Sequence, residues 1–222
     1  MPQVLDTGFI ELLPSLANDL DVVNAARVSF AARQDEMDSR GAGLIGFLMS
    51  KKHGSPFEHN LFRFHCRAML AVVREWERHR IASYNEQSGR YSELSDIFFV
   101  PEYVRTQVGK PGHYTYERMS EEDSEWFRDS IDDHNKLSYA KYQTALARGV
   151  AKEQARLYLP PTLMVEFWVS MNARALMNFI RLRNEESAMY EIRQYAIEVE
   201  NFFAELMPMT HEAFNKHGRV VP

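Results

Sequence analysis

One domain mixing strands with helices is what this sequence predicts, and three observations predict it. The 222 residues are 45% hydrophobic, enough chain and enough apolar surface for one full core. No internal repeat, low-complexity tract or linker divides them. Stretches that alternate with period two stand apart from stretches of helical period, so both kinds of element are present.

In chain order, residues 3–13 read as a short strand or hairpin, broken by Asp6-Thr7-Gly8 and closed by Pro14. Asn18 can cap a helix that carries Leu20, Val23 and Ala26 on to Phe30. A second helix fits 36–52 and ends before Gly54; Ser55-Pro56 then reads as an N-cap followed by proline, opening a short turn through His59. Residues 61–68 set Phe62, Phe64, Cys66 and Ala68 against Arg63, His65 and Arg67, the pattern of a half-buried strand. A helix is expected over 69–79, a strand at Ile97-Phe98-Phe99-Val100 before Pro101, and a long variable loop over 102–118, where Gly109, Pro111 and Gly112 fall. Ser120 with Asp123 resembles a capping box, opening a helix that reaches Arg148 ahead of Gly149. Further helices fit 151–158, 172–182 and 187–207, the last stopped by Pro208, and 163–170 fits one more strand.

Composition excludes several functions. A net charge of −5 is a poor match for a nucleic-acid polymer, so any polyanion must meet a local cluster of arginines. The single cysteine, Cys66, excludes an internal disulfide framework and a cysteine-only zinc site. Residues Met1 to Asp6 carry no basic region or apolar run of a signal peptide. No stretch approaches the roughly 18 apolar residues of a membrane span. The sequence therefore predicts a cytoplasmic protein with no membrane partner.

The densest polar stretch is Arg78-His79-Arg80-Ile81-Ala82-Ser83-Tyr84-Asn85-Glu86-Gln87-Ser88-Gly89-Arg90, with three arginines in thirteen residues. Guanidiniums that close repel one another unless an anion sits among them, and arginine suits the two-pronged grip of phosphate. Ser88, the Gly89 N–H and Arg90 could form an oxyanion cradle. A solvated loop of surface ion pairs explains the same residues equally well. In a second block, Asn172-Ala173-Arg174 through Arg183, a helix would put Arg174, Asn178 and Arg181 on one face. Such a face can hydrogen-bond the edge of a planar heterocycle, or simply be a basic surface helix.

Gly41-Ala42-Gly43-Leu44-Ile45-Gly46 matches the dinucleotide-binding fingerprint by letter. No strand precedes it, and glycines that ease helix packing are the better account. His53, Glu58, His59 and His65 have metal-ligand chemistry but no helical His-x-x-x-His pair. Cys66 falls on the apolar face of its strand and reads as packed core.

Two blocks now acquire a precedent. The first resembles the signature of flavin-dependent thymidylate synthases, Arg-His-Arg, seven residues, then Ser, and the second resembles that family's Asn-Ala-Arg…Asn…Arg block. The similarity extends to Ala25 to Phe30, His53 to His59, and Ala155-Arg156…Leu159-Pro160, nearly the whole chain in order. Several motifs in register are far more specific than one.

The resemblance implies a family-specific α+β fold spanning 1–222 as one domain, a mostly antiparallel sheet flanked by long helices. It implies a homotetramer with active sites shared between subunits. It further implies conversion of dUMP to dTMP, with methylenetetrahydrofolate as one-carbon donor, FAD carrying the hydride and NADPH as reductant. Nucleotide contacts carry over to Glu75, Trp76, Glu77, Arg78, Glu86, Gln87, Ser88, Gly89, Arg90, Arg156 and Arg183, and flavin contacts to Ser55, Arg78, His79, Arg80, Glu86, Asn172, Ala173, Arg174 and Asn178. Arg183 matches the catalytic residue that would promote ionisation at N3 of the uracil. Position 75 is Glu where some relatives have Gln, and position 187 is Ser where relatives often have His. The other class of thymidylate synthase attacks dUMP with a cysteine, a role Cys66 is badly placed to fill. Two rivals remain: a non-catalytic nucleotide- or RNA-binding module, and a flavoprotein oxidoreductase with another substrate.

Overall fold

The computed structural model describes residues 1–222. Its centre is a five-stranded sheet in the order β1-β2-β3-β7-β4, antiparallel throughout. The strands are β1 (Gln3–Val4), β2 (Gly8–Leu12), β3 (Leu61–Met69), β4 (Ser83–Glu86) and β7 (Met164–Asn172). A separate hairpin pairs β5 (Arg105–Lys110) with β6 (His113–Arg118). The helices are α1 (Asp19–Arg27), α2 (Ser39–Ser50), α3 (Leu70–Trp76), α4 (Glu121–Ala147), α5 (Lys152–Ala155), α6 (Ala173–Arg183), α7 (Tyr190–Leu206) and α8 (Pro208–Lys216). The expected α+β domain with an antiparallel sheet is therefore present.

The alternation in β3 decides which side of the sheet is covered. Phe62, Phe64, Cys66 and Ala68 are buried, while Arg63, His65 and Arg67 stay partly open. Phe62 meets Phe203 and Phe64 meets Phe202 on α7. Trp76 of α3 stacks on Phe179 of α6 at 4.7 Å and meets Phe167 of β7 and Tyr195 of α7 edge-on. Burying such rings contributes about 1.5–3 kcal/mol each, and these contacts fix α3 and α6 against the sheet beside the arginine-rich stretch.

Helix starts follow local capping where the sequence supplies it. Asn18, Asp38, Ser120 and Asn172 each accept from the N–H three residues on. Between Ser120 and Asp123 the reciprocal bond joins the two side chains, not the backbone as a capping box would have it. α8 is capped from elsewhere: buried Asp19 accepts from the N–H groups of Met209 and Thr210 and from the Thr210 hydroxyl.

Several expectations need correction. Within 102–118, residues 105–118 are not a loop but the β5–β6 hairpin, because Pro111 fixes one turn residue and Gly112, at φ +85°, supplies the left-handed one. Residues 97–100 form no strand; Phe98 makes one isolated bridge to Leu163. Pro208 does not end the helical region but opens α8, where a missing N–H costs nothing. Ser55 lies inside a 3-10 turn, Ser55–His59, whose cap is Gly54. Helices expected over 36–52, 69–79 and 151–158 are shorter, and the last ends as a 3-10 turn, Arg156–Tyr158. Gly43 and Gly46 face open space, so helix packing does not explain them.

Candidate active site

The stretch 78–90 starts where α3 stops. His79 N–H donates to the Trp76 carbonyl, and the Tyr84 hydroxyl bonds the carbonyls of both Trp76 and His79. The chain thus leaves the helix in a fixed direction and enters β4, an edge strand on β7. Beyond β4, the Arg90 N–H donates to Ser88 Oγ at 3.3 Å, in a tight turn. Gly89 is closely packed: a Cβ there would stand 2.7 Å from Leu94 Cδ1 and 3.2 Å from Arg156 Cδ, so both side chains would have to shift to admit one.

Arg183, at the end of α6, reaches back to this stretch. Its Nε donates to His79 Nε2 at 3.0 Å, Nη2 to the Glu75 carbonyl at 3.2 Å, and Nη1 pairs with Glu75 Oε2 at 2.8 Å. Burial, then the Arg183 charge, lower the His79 pKa to about 4. At neutral pH the ring is therefore uncharged, a flat surface and not a proton donor in its cationic form. Glu75 supplies a counter-charge to Arg183, which a glutamine at this position would not.

Two clefts open on either side. The first, about 570 Å³, is lined by Arg78, His79 and Arg80 from the stretch and by Asn172, Arg174 and Asn178 from β7 and α6. Three guanidiniums face one carboxylate, Glu58, an excess of positive charge that suits an extended phosphate-bearing group. Asn172 spends its carbonyl oxygen on Ala175 N–H, leaving its amide N–H groups as donors. The donor set fits a flavin dinucleotide, with Ile81, Ala175, Val221 and Pro222 as apolar wall.

The second cleft, about 520 Å³, is lined by Glu77, Glu86, Gln87, Gly89, Arg156 and Arg74, with leucines below. Partial burial and the Glu77 charge raise the Glu86 pKa, against the pull of Arg156 and Arg74. The stretch 78–90 thus serves both clefts, its first half one and its second half the other.

The chain matches the family described as thymidylate synthase complementing protein over residues 11–209. It belongs to that family. Within the thymidylate synthase complementing family, it is 44% identical to a flavin-dependent thymidylate synthase of Tropheryma whipplei, over 100% of this chain and 98% of that one. It is 43% identical to one from Thermotoga neapolitana, over 97% and 94%. A solved structure of a UMP/dUMP methylase, PolB from Streptomyces cacaoi, bound with 5-Br dUMP, is 40% identical, with a TM-score of 0.91 and full coverage of both chains.

The residues expected at the site divide into four groups in this family member. Arg78, His79, Arg80, Asn172, Arg174 and Asn178 converge on the first cleft. Glu77, Glu86, Gln87, Gly89 and Arg156 converge on the second. Glu75 and Arg183 pair beside His79, lining neither, and Arg90 pairs with Glu153 at 2.8 Å near Ser88, outside both. Trp76 and Ala173 are wholly buried, so neither side chain faces a cleft, and Ser55 is exposed outside them. Arg74, on α3 four residues before the arginine-rich stretch begins, also lines the second cleft and lies outside the motif that marks the others. Glu58, which the sequence places in the His53 to His59 block and among residues of metal-ligand chemistry, is bonded to Arg174 Nη1 at 2.6 Å. Cys66 is fully buried, and burial pushes its thiol pKa well above the usual value, in line with a core role.

Proposed function

We propose that this chain is a flavin-dependent thymidylate synthase, converting dUMP to dTMP with methylenetetrahydrofolate as one-carbon donor, FAD as bound flavin and NADPH as reductant. The observation that carries it is identity of 44% to a protein of that name across the full chain. The two clefts support it, being a phosphate-receptive groove and a smaller polar pocket that share one arginine-rich stretch.

In this reading Arg78, Arg80, Arg174, Asn172 and Asn178 hold FAD, and neutral His79 lies against it. Glu86, Gln87, Gly89 and Arg156 form the nucleotide pocket, with Ser88 and Arg90 on the phosphate. The flavin, when bound, supplies the reducing equivalents that turn a transferred methylene into a methyl group. The protein must bind, exclude water and stabilise charge. A guanidinium at the uracil N3–O2 edge stabilises negative charge there without giving up its own proton. Arg183 is the residue for this, and uracil would take the place of Glu75 as its partner.

Arg183 and Arg78 stand outside the cleft of Glu86, Gly89 and Arg156 in one chain. A site that took Arg183 from one subunit and this cleft from another would be shared between subunits, as the homotetramer of this reading requires. Exposed Phe30, Ile81 and Leu157 offer apolar surface for such contacts. No helix is long and apolar enough to cross a membrane, and we place the enzyme in the cytoplasm.

The test is tritium release from C5-labelled dUMP with FAD, NADPH and methylenetetrahydrofolate, UMP running in parallel because a solved relative is a UMP/dUMP methylase. Tritium in water with dTMP as product is the expected result. A flavin-loaded protein that releases none from dUMP would overturn the reading.

A further inference from the structure

Beyond α8 the chain takes two left-handed steps in succession, Gly218 at φ +70° and Arg219 at φ +57°. A non-glycine residue stays in that region only where its surroundings hold it. Here they do. The Arg219 guanidinium donates to Glu200 Oε2 at 2.5 Å and lies over the Phe214 ring at 5.4 Å. Glu200 in turn accepts from the Asn184 side chain at 2.6 Å and pairs with His211 at 3.0 Å. Burial alone would raise the Glu200 pKa, but hydrogen bonds from His211, Arg219 and Asn184 lower it, so the anchor is a carboxylate at neutral pH.

The turn delivers Val221 and Pro222 to the wall of the first cleft. There the Pro222 main-chain oxygen accepts from Arg174 Nε at 2.6 Å, while Glu58 holds Arg174 Nη1. Two of the three guanidinium nitrogens are thereby fixed, and Nη2 is left without a protein partner. Gly54 makes this clasp possible. A Cβ at position 54 would stand 2.7 Å from the Pro222 oxygen and 2.6 Å from Arg174 Nε.

We propose that residues 217–222 form a strap that fixes Arg174 and closes one wall of the flavin cleft, setting how long the cofactor stays bound. This rests on the reading of that cleft as the flavin site. A guanidinium already held at two nitrogens loses little freedom when the third grips an anion.

The experiment measures FAD affinity and release by flavin fluorescence, with the folded state of each protein checked by circular dichroism. Three changes loosen the strap independently: Arg219→Ala at the anchor, Gly54→Ala at the clasp, and removal of Val221 and Pro222. Each should raise the FAD dissociation constant and release rate about tenfold, the loss of one charge-assisted contact, and Arg219→Lys should recover part. dUMP affinity of the flavin-saturated variants should move far less. Folded variants that hold FAD as tightly as the parent would make the strap a bystander. Variants that bind FAD more tightly would make it a competitor. Either result overturns the proposal while leaving the flavin site in place, whereas a parent protein that binds no flavin would remove both.

Discussion

Replacing Arg183 with Ala should return proton affinity to His79. Arg183 Nε donates to His79 Nε2 at 3.0 Å, so that nitrogen keeps its lone pair and the ring proton sits on Nδ1. The ring pKa is held at about 4, by burial first and by the Arg183 charge second. With the charge gone burial remains, so the pKa should climb by roughly one unit and stop short of its ordinary value. One unit is about 1.4 kcal/mol of preference between the charged and neutral ring. Glu75, freed from its 2.8 Å pair with Arg183, adds a negative charge that pushes the same way. The assay is an NMR titration of labelled histidine rings between about pH 4 and 8. Stability gives a second readout. Because the folded pKa lies below the ordinary histidine value of 6.5, the unfolded chain takes the proton first. The His79 contribution is therefore complete above that value and is lost as pH falls towards about 4. In Arg183→Ala this window narrows, so acidification should lower the urea midpoint less than in the parent. A folded variant whose His79 still titrates near the parent value would refute the reasoning, since the pairing would then carry no electrostatic weight.

Arg90→Ala should weaken dUMP binding roughly tenfold or more, the loss of a charge-assisted hydrogen bond of about 1.5–3 kcal/mol, with FAD affinity little changed. Unaltered dUMP affinity by calorimetry would count against the phosphate role. Cys66→Ala should keep turnover within a few-fold and lose on the order of 1 kcal/mol of stability through a small cavity. Complete loss of activity in a folded, flavin-loaded variant would restore the thiol as a candidate nucleophile. Chains inactivated separately at Arg183 and at Arg156 should regain partial activity when mixed, because a shared site would draw these two residues from different subunits. A fully active monomer in sedimentation would end that idea.

What the sequence revealed tracks how local the physics is. β3 was legible because its alternation is its burial, and α1 because Asn18 caps it from the adjoining residue. β4 was hidden because an edge strand of polar residues has no apolar stripe; only its register against β7 makes it a strand. The β5–β6 hairpin was hidden because Gly109, Pro111 and Gly112 read as loop chemistry in one dimension. At the site, the motifs named residues but not their grouping. No spacing rule brings Arg183 to His79 across 104 positions, or places Glu86 in a different cleft from Arg80. The strap was illegible for the same reason, its partners being Glu200, Gly54 and Arg174.

The clasp of Asp19 on α8 has a consequence for how the molecule comes together. Its bonds to Met209 and Thr210 span 190 and 191 positions, and α8 has no side-chain cap of its own. Contacts this distant in sequence close late, because a long stretch of chain must be ordered before they return any free energy. The two extremities of the fold should therefore protect and release their amides from hydrogen exchange as one unit. Any substitution that loosens α1 at Asp19 would be felt through α8 at Gly218 and Arg219. A change at Asp19 would then loosen the Val221–Pro222 wall of the first cleft, with no direct contact between them.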